Sequence, residues 1–293
     1  RGGGYISRPP GRAIVEDAEW VRLNFMNQPA TLGSAKFAAL HQALVRAGTF
    51  LYVPRGIEIE LPLETFHWLH AENAAIFPHT LLVAEENSKV TLVEHFRSAD
   101  RSRAGFSCGV NDLVVGAGAK VTYICAQEWS DHTLSIQINA TTVARDAKAL
   151  NLYLALGGKY SRLECLSRLT GEGAHSDMLA VSVGDDAQEF DARTLQDHAS
   201  PRTFSDLLFK NALNGHARNT FGGLIRVEPH ARRNARARTT AGNPDARAQA
   251  RVLLQHVEHF IRGAGPIADV VFHAVRGPIL RIRRRMVRGH RSE

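Results

Sequence analysis

Cysteine is scarce in this chain, which has only three cysteines among 293 residues. They stand far apart, at Cys108, Cys125 and Cys165, and no two of them form a C-x-x-C pair. An odd and sparse set of this kind excludes a disulfide framework and is typical of proteins in a reducing compartment. We therefore expect a cytoplasmic protein.

Long apolar segments are also missing. No run approaches the roughly 18–20 apolar residues that span a bilayer, so we expect no membrane partner. The first residues, Arg1 to Tyr5, contain neither a methionine nor the apolar stretch of a signal peptide. This start is typical of the interior of a longer chain.

The patterns of common catalytic and metal sites are absent as well. The sequence has no H-E-x-x-H, EF-hand, zinc-ribbon or G-x-S-x-G pattern. The run Gly116-Ala117-Gly118 lacks the Lys-Ser/Thr pair of a phosphate-binding loop, and we interpret it as a turn. Nothing in these patterns specifies an active site.

Excess positive charge is confined to one end of the chain. Residues 226–293 contain 15 basic residues, all arginine, against 5 acidic ones, whereas residues 1–225 contain 21 basic against 24 acidic residues. The body therefore offers no basic surface for a phosphate backbone, which disfavours nucleic acid as a partner. The alternative is a protein that binds nucleic acid through the arginine-rich tail, above all through residues 281–285.

Hydrophobic periodicity divides the chain into a helical lead-in and a strand-rich body. Residues 14–47 carry helical signals, with Ser34 as a helix N-cap and an apolar stripe over Phe37, Leu40 and Leu44. The sequence after this lead-in alternates with period two in short segments rich in β-branched and aromatic residues, which predicts strands. Examples are Ile57–Leu61, Lys89–Val93, Lys120–Ile124, Leu134–Ile138 and Met178–Val183.

The turns between these segments resemble one another. Gly116–Ala119, Gly171–Ala174 and Gly184–Ala187 share the pattern Gly-x-x-Ala, and Asn214–Ala217 and Glu228–Ala231 end in the same small residue. A turn that recurs over short strands indicates stacked coils, as in a β-solenoid. A sandwich of hairpins gives similar spacing, so the pattern predicts a mainly β fold and leaves these two architectures open.

The cysteines and histidines are candidate ligands for a metal ion. Cys125 and Cys165 share strand faces with apolar residues and are interpreted as core residues, whereas the role of Cys108 stays open. His67 and His70 stand three residues apart in a strand-rich region, which places them on opposite faces. A shared metal site at these histidines is therefore not expected.

Four aspartates suggest a different function. Asp185, Asp186, Asp191 and Asp197 could supply the acid pair of a carbohydrate-active β-helix enzyme. They fall in a turn and among polar strand residues, so we interpret them as a solvated face. The carbohydrate-active enzyme is kept as an alternative.

Several segments of the body occur in a specific order. They are Gly48–Ile57, Leu61-Pro62-Leu63, Thr80–Ser88, Val93-Glu94, Asp191–His198, Ser200–Ser205 and Phe221–Ala231. Taken together over about residues 48–231, this ordered set resembles the core of the SufB/SufD family of iron–sulfur cluster assembly proteins. The single pieces are short, and it is their order that makes the resemblance specific.

The resemblance implies a fold and a domain organisation. The fold is a right-handed parallel β-helix over residues 48–231, preceded by a partial N-terminal helical region over residues 1–47. An atypical arginine-rich region covers residues 232–293 and keeps only echoes of the family pattern. Two interpretations of that region stay open, namely a scrambled reading frame and a genuine basic arm.

The resemblance also implies partners and a site. Such a chain is a scaffold subunit of the SUF machinery that pairs with a SufB-like paralogue and binds a SufC-like ATPase. It is not an enzyme acting alone, and it holds no cofactor stably by itself. SufB-like chains carry a cysteine soon after the pair that matches Val93-Glu94, but here His95-Phe96-Arg97 follows, so the chain is closer to SufD. His273 matches a SufD histidine at the site shared with SufB, where an iron–sulfur cluster would be present only transiently.

Overall fold

The computed structural model describes residues 5–231 and 235–242. Three short helices come early in the chain, namely α1 (Pro10–Glu16), α2 (Ala18–Asn24) and α3 (Ala35–Leu44). Within the described residues, none of the helices is long and apolar enough to cross a membrane. The strands are β1 (Ile6–Arg8), β2 (Ala47–Val53), β3 (Leu63–Leu69), β4 (Ala74–Ile76), β5 (Pro78–Ala84), β6 (Lys89–Ser98), β7 (Gly105–Val115), β8 (Lys120–Glu128), β9 (Thr133–Val143), β10 (Lys148–Ala155), β11 (Tyr160–Leu169), β12 (His175–Gly184), β13 (Glu189–His198), β14 (Phe204–Leu213), β15 (Arg218–Val227) and β16 (Arg236–Gly242).

Successive strands alternate between two sheets. Sheet A has the order β1-β2-β5-β7-β9-β11-β13-β15, with β4 also paired to β7, and sheet B has the order β16-β14-β12-β10-β8-β6-β3. All strand pairs are parallel except β1 with β2. The chain therefore winds through both sheets in each coil, and about seven coils stack into a β-solenoid. This arrangement confirms the solenoid and excludes the hairpin sandwich, whose neighbouring strands would be antiparallel.

The register of the parallel strands turns each inward position into a column along the solenoid. In sheet B one such column runs through Val90, Val121, Ala149, Ser176 and Ser205. Because successive side chains of a strand point to opposite faces, alternate residues fill the space between the sheets. The largest side chains that are fully buried there include Trp129, Tyr123, Phe96 and Met178.

The recurring turns have a shared backbone geometry. Gly118 and Gly173 adopt positive φ angles of 65° and 74°, a conformation that glycine adopts without strain. The alanines that follow them, Ala119 and Ala174, are completely buried at the start of the next strand. In the turn after β12 the pattern is shifted by one residue, because Gln188 rather than Ala187 takes the buried position.

The three helices pack against the outer face of sheet A. The predicted apolar stripe of α3 is partly wrong, because Leu40 and Leu44 are exposed while His41 is buried beneath the helix. Phe37 packs against the sheet as expected. Ser34 precedes α3 at the N-cap position, but its hydroxyl makes no capping hydrogen bond.

Candidate functional site inside the solenoid

An acidic side chain lies inside the solenoid, on the inward face of β6. Val90, Leu92 and Phe96 alternate along this face and belong to the core, so the period of two places Glu94 among them. The Glu94 side chain has no exposed surface. Because charged groups are almost never buried completely unless they are paired, Glu94 marks this part of the interior as a candidate functional site.

Five side chains from both sheets donate hydrogen bonds to the Glu94 carboxylate. Oε1 accepts from Thr80 Oγ1 at 2.6 Å, His67 Nε2 at 2.9 Å and Thr65 Oγ1 at 3.2 Å, and Oε2 accepts from Asn111 Nδ2 at 2.7 Å and Tyr123 Oη at 2.8 Å. The strand register explains this convergence. Thr65 on β3 is paired with Glu94 in sheet B, and Thr80 and Asn111 are paired with each other in sheet A, which faces Glu94 across the interior.

The charge state of Glu94 follows from these contacts. Burial alone would raise the pKa of Glu94, but the hydrogen bond and charge of His67, together with the Thr80 and Tyr123 hydroxyls, outweigh burial and hold the pKa below its ordinary value. The carboxylate is therefore ionised at neutral pH. His67 is slightly exposed and connects this buried charge to the surface of the molecule.

Polar side chains continue from Glu94 along the solenoid. Gln137 Nε2 donates to Asn111 Oδ1 at 2.9 Å and to Asn139 Oδ1 at 3.0 Å. Asn139 lies between Asn111 and Cys165 in the register of sheet A, and its Nδ2 has no hydrogen-bond partner among the described residues. The connected polar groups therefore lead from Glu94 through Asn111 and Gln137 as far as Asn139.

Two thiols line this interior. Cys125 is the register partner of Glu94 in sheet B, and both Cys125 and Cys165 are free and buried. Burial raises the pKa of Cys165 to about 12, and burial followed by the negative charge of Glu94 raises the pKa of Cys125 well above its ordinary value. Both thiols are thus protonated at neutral pH, and neither is a nucleophile or a soft metal ligand in this conformation. Their interpretation as core residues is confirmed.

A small cavity of about 40 Å³ lies beside Cys125 and is also bordered by Gln137, Tyr153 and Phe209. Its wall is mainly apolar, and neither Glu94 nor Cys165 borders it. What the interior holds is therefore one ionised carboxylate that its hydrogen-bond donors stabilise.

Comparison with known proteins shows which family has this core. The sequence model of the SUF system FeS cluster assembly, SufBD core domain, matches residues 67–243, which reach from within β3 to the end of β16. The chain belongs to the SufBD family.

Relatives of this SufBD chain are similar over a shared part only. An iron–sulfur cluster assembly SufBD family protein of Staphylococcus epidermidis is 26% identical over 222 residues, which cover 76% of this chain and 48% of the relative. The iron–sulfur cluster assembly protein SufB of Bacillus subtilis is 27% identical over 190 residues, which cover 65% of this chain and 41% of the relative. The chain therefore spans about half the length of the curated relatives it matches.

The residue that the family resemblance assigned to the SufBD site, His273, lies outside the described residues. Of the histidines within them, His67 points inward to Glu94 and His70 is exposed, so the prediction of opposite faces is confirmed. In residues 5–231 and 235–242, no group of three or more His, Cys, Asp or Glu side chains is arranged to hold a metal ion.

The interpretation of the aspartates as a solvated face is wrong for two of them. Asp191 and Asp197 are buried on the outer face of sheet A, where each is paired with arginines. Arg162 and Arg193 contact Asp191 at 2.5 and 2.8 Å, and Arg226 contacts Asp197 at 2.7 Å. These carboxylates connect neighbouring strands of the SufBD solenoid, and their role is therefore structural.

The third thiol lies on the opposite face of sheet A from the interior. Cys108 is buried beneath α3, where its thiol donates to the Phe37 carbonyl at 3.4 Å and burial raises its pKa to about 12. Cys108 is therefore a structural contact between α3 and the solenoid.

Sequence reasoning missed Glu94, although a signal was present. In the run from Val90 to Phe96, the alternation places Glu94 on the apolar face, where an acidic residue breaks the pattern. The five donors come from four other strands, and only the solenoid register brings them together.

Proposed function

We propose that this chain is a SufD-like scaffold subunit of the SUF iron–sulfur cluster assembly machinery, acting in the cytoplasm and not an enzyme by itself. It pairs with a SufB-like protein and with a SufC-like ATPase. The cluster is cargo that forms at the interface with the SufB-like partner. The observation that carries this proposal is the exposed apolar end of the solenoid at β15.

The end of the solenoid has the properties of an interaction surface. β15 is the last strand of sheet A, and among the described residues no strand pairs with its outer edge. Ile225 and Val227 continue the inward columns of Gln196 and His198, yet they are 42% and 37% exposed. Open strand edges and exposed apolar patches are sites where another chain can add to a sheet. A second parallel solenoid would offer a matching edge.

The interior thiols support the assignment to the SufD side. After Glu94, His95 turns outward and bonds Glu64, and Phe96 enters the core, so no thiol follows the Val93-Glu94 pair. Because the two inward thiols stay protonated, a reactive sulfur acceptor has to come from the partner. His273 is the residue that we propose adds an imidazole to the shared site.

ATP hydrolysis is assigned to the SufC-like partner. The glycine-containing segments Gly116–Ala119 and Gly171–Ala174 form tight turns between strands, and no helix follows them. A phosphate-binding loop requires a helix N-terminus after its glycines.

Co-expression with the SufB-like and SufC-like proteins of the same organism tests this proposal. We expect the tagged chain to retain both partners through affinity purification and sizing. Ile225→Glu places a charge at the open end and should reduce the retained SufB-like protein at least about tenfold. Leu134→Glu is the matched control, because Leu134 on β9 is similarly exposed, at 45%, and lies away from this end.

Two outcomes would contradict the proposal. One is a folded wild-type chain that retains neither partner. The other is an Ile225→Glu variant that keeps a native circular dichroism spectrum and retains as much SufB-like protein as the Leu134→Glu control.

A further inference from the structure

A separate cavity lies on the outside of the solenoid, between the N-terminal helices and sheet A. Its volume is about 310 Å³, within the lower range of sites that bind small molecules. It is enclosed by α1 and α2 on one side and by β2 and β5 on the other. The apolar part of its wall comes from Ala13, Ile14, Val21, Phe25, Phe50 and Leu81.

Two arginines line the same cavity. Arg22 lies in the last turn of α2, Arg46 directly precedes β2, and both side chains are exposed. Within residues 5–231 and 235–242, neither of them forms an ion pair or a side-chain hydrogen bond, whereas Arg162, Arg193 and Arg226 on the outer face of sheet A are paired with carboxylates. Two cations without carboxylate partners beside an apolar wall give the cavity an affinity for an anion.

The inner wall carries a buried polar group. His79 is only 2% exposed, and its ring packs on Phe25 with the ring centroids 4.3 Å apart. Its Nδ1 lies 3.2 Å from His41 Nε2. Its Nε2 lies 3.4 Å from Asp112 Oδ2 but makes no hydrogen bond. Nε2 therefore faces the Asp112 carboxylate, which does not line the cavity, and what His79 contributes to the inner wall is the surface of its ring.

We propose that this cavity binds a small amphipathic anion, with its apolar chain against the helices and its carboxylate between Arg22 and Arg46. An apolar cavity of this size loses packing contacts if it stays empty, and a saturated chain restores them. The site lies on the outer face of sheet A, away from both the Glu94 interior and the β15 end. The proposed ligand site is therefore independent of the proposed scaffold function.

Titration calorimetry of the 293-residue chain with decanoate, a saturated fatty acid anion kept below its micellar concentration, tests the proposal. We expect saturable binding, with decanol binding at least about tenfold more weakly because it lacks the charge. The double variant Arg22→Glu/Arg46→Glu should also weaken decanoate binding at least about tenfold. Arg101→Glu, at an exposed arginine remote from the cavity, is the control and should bind as the wild type does.

A second variant separates the cavity from its charged rim. Val21→Trp fills the space beneath α2 and should weaken decanoate and decanol alike, with circular dichroism and the melting temperature checking the fold. The proposal is overturned if decanoate gives no saturable heat with the folded wild type, if decanol binds as tightly as decanoate, or if the folded double arginine variant keeps wild-type affinity.

Discussion

At the scale of single residues, Glu94 shows how a charge is tolerated inside a solenoid. Its two oxygens accept five hydrogen bonds, so replacing it leaves several buried donors without an acceptor. Glu94→Gln replaces one of the two accepting oxygens with an NH₂ group, which is a donor. It faces neighbours that are themselves donors. We expect this variant to lose about 2–4 kcal/mol of unfolding free energy at pH 7, measured by denaturant titration.

The pH dependence of this loss has a definite sign. The pKa of Glu94 is lower in the folded chain than in the unfolded one, so its ionisation stabilises the fold above the unfolded pKa of about 4.3. That contribution disappears as the pH falls through the folded-state pKa. The difference between wild type and Glu94→Gln should therefore shrink below about pH 4. Glu60→Gln, at an exposed glutamate, should show little difference at any pH, and an equally large effect there would contradict the argument.

At the scale of elements, the sequence predicts strands better than it predicts what covers them. The period-two alternation predicts most of the strands, because most side chains that fill the interior are apolar or small, with Glu94, Asn111 and Gln137 among the exceptions. The contacts of the helical lead-in depend on residues far away in the chain. Ser34 donates to Glu164 at 2.6 Å across 130 residues, and Arg162 donates to the Leu32 carbonyl. A local sequence pattern cannot predict contacts between residues so far apart in the chain. For the same reason the sequence did not predict the buried face of α3 or the donors around Glu94.

The turns permit a test of stacking at the element scale. Gly56 and Gly215 have similar φ angles of 70° and 64°, but a Cβ at Gly56 meets nothing within 4 Å, whereas one at Gly215 comes within 3.2–3.3 Å of backbone atoms of Asp186 in the neighbouring turn. Alanine at Gly56 should cost only the backbone strain of about 1–2 kcal/mol. Alanine at Gly215 should cost more in the same thermal unfolding assay, because the neighbouring turn has to shift. Equal costs would show that neighbouring turns move apart easily.

At the scale of the whole molecule, the two ends of the solenoid differ. At the first coil, β1 pairs antiparallel with β2, and α1 packs on the same strand. At the other end, β15 exposes Leu224, Ile225 and Val227. In a stack where each coil contacts only its neighbours, an end without a cover is the least stable part. Within residues 5–231 and 235–242, one end of the solenoid is therefore covered by other elements and the other is not, and the uncovered end is the one that we propose for the partner.

Hydrogen exchange measured by mass spectrometry can detect this asymmetry in the isolated chain. Amides of β9 and β11, which have a paired strand on both sides, should exchange most slowly, because opening them disrupts two interfaces. Amides of β15 should exchange faster than those of β2, which β1 and α1 protect. Adding the SufB-like partner should slow exchange in β15 and leave β9 unchanged. If β15 is as protected as β9 without a partner, the open end is already covered in the isolated chain and cannot be the pairing surface.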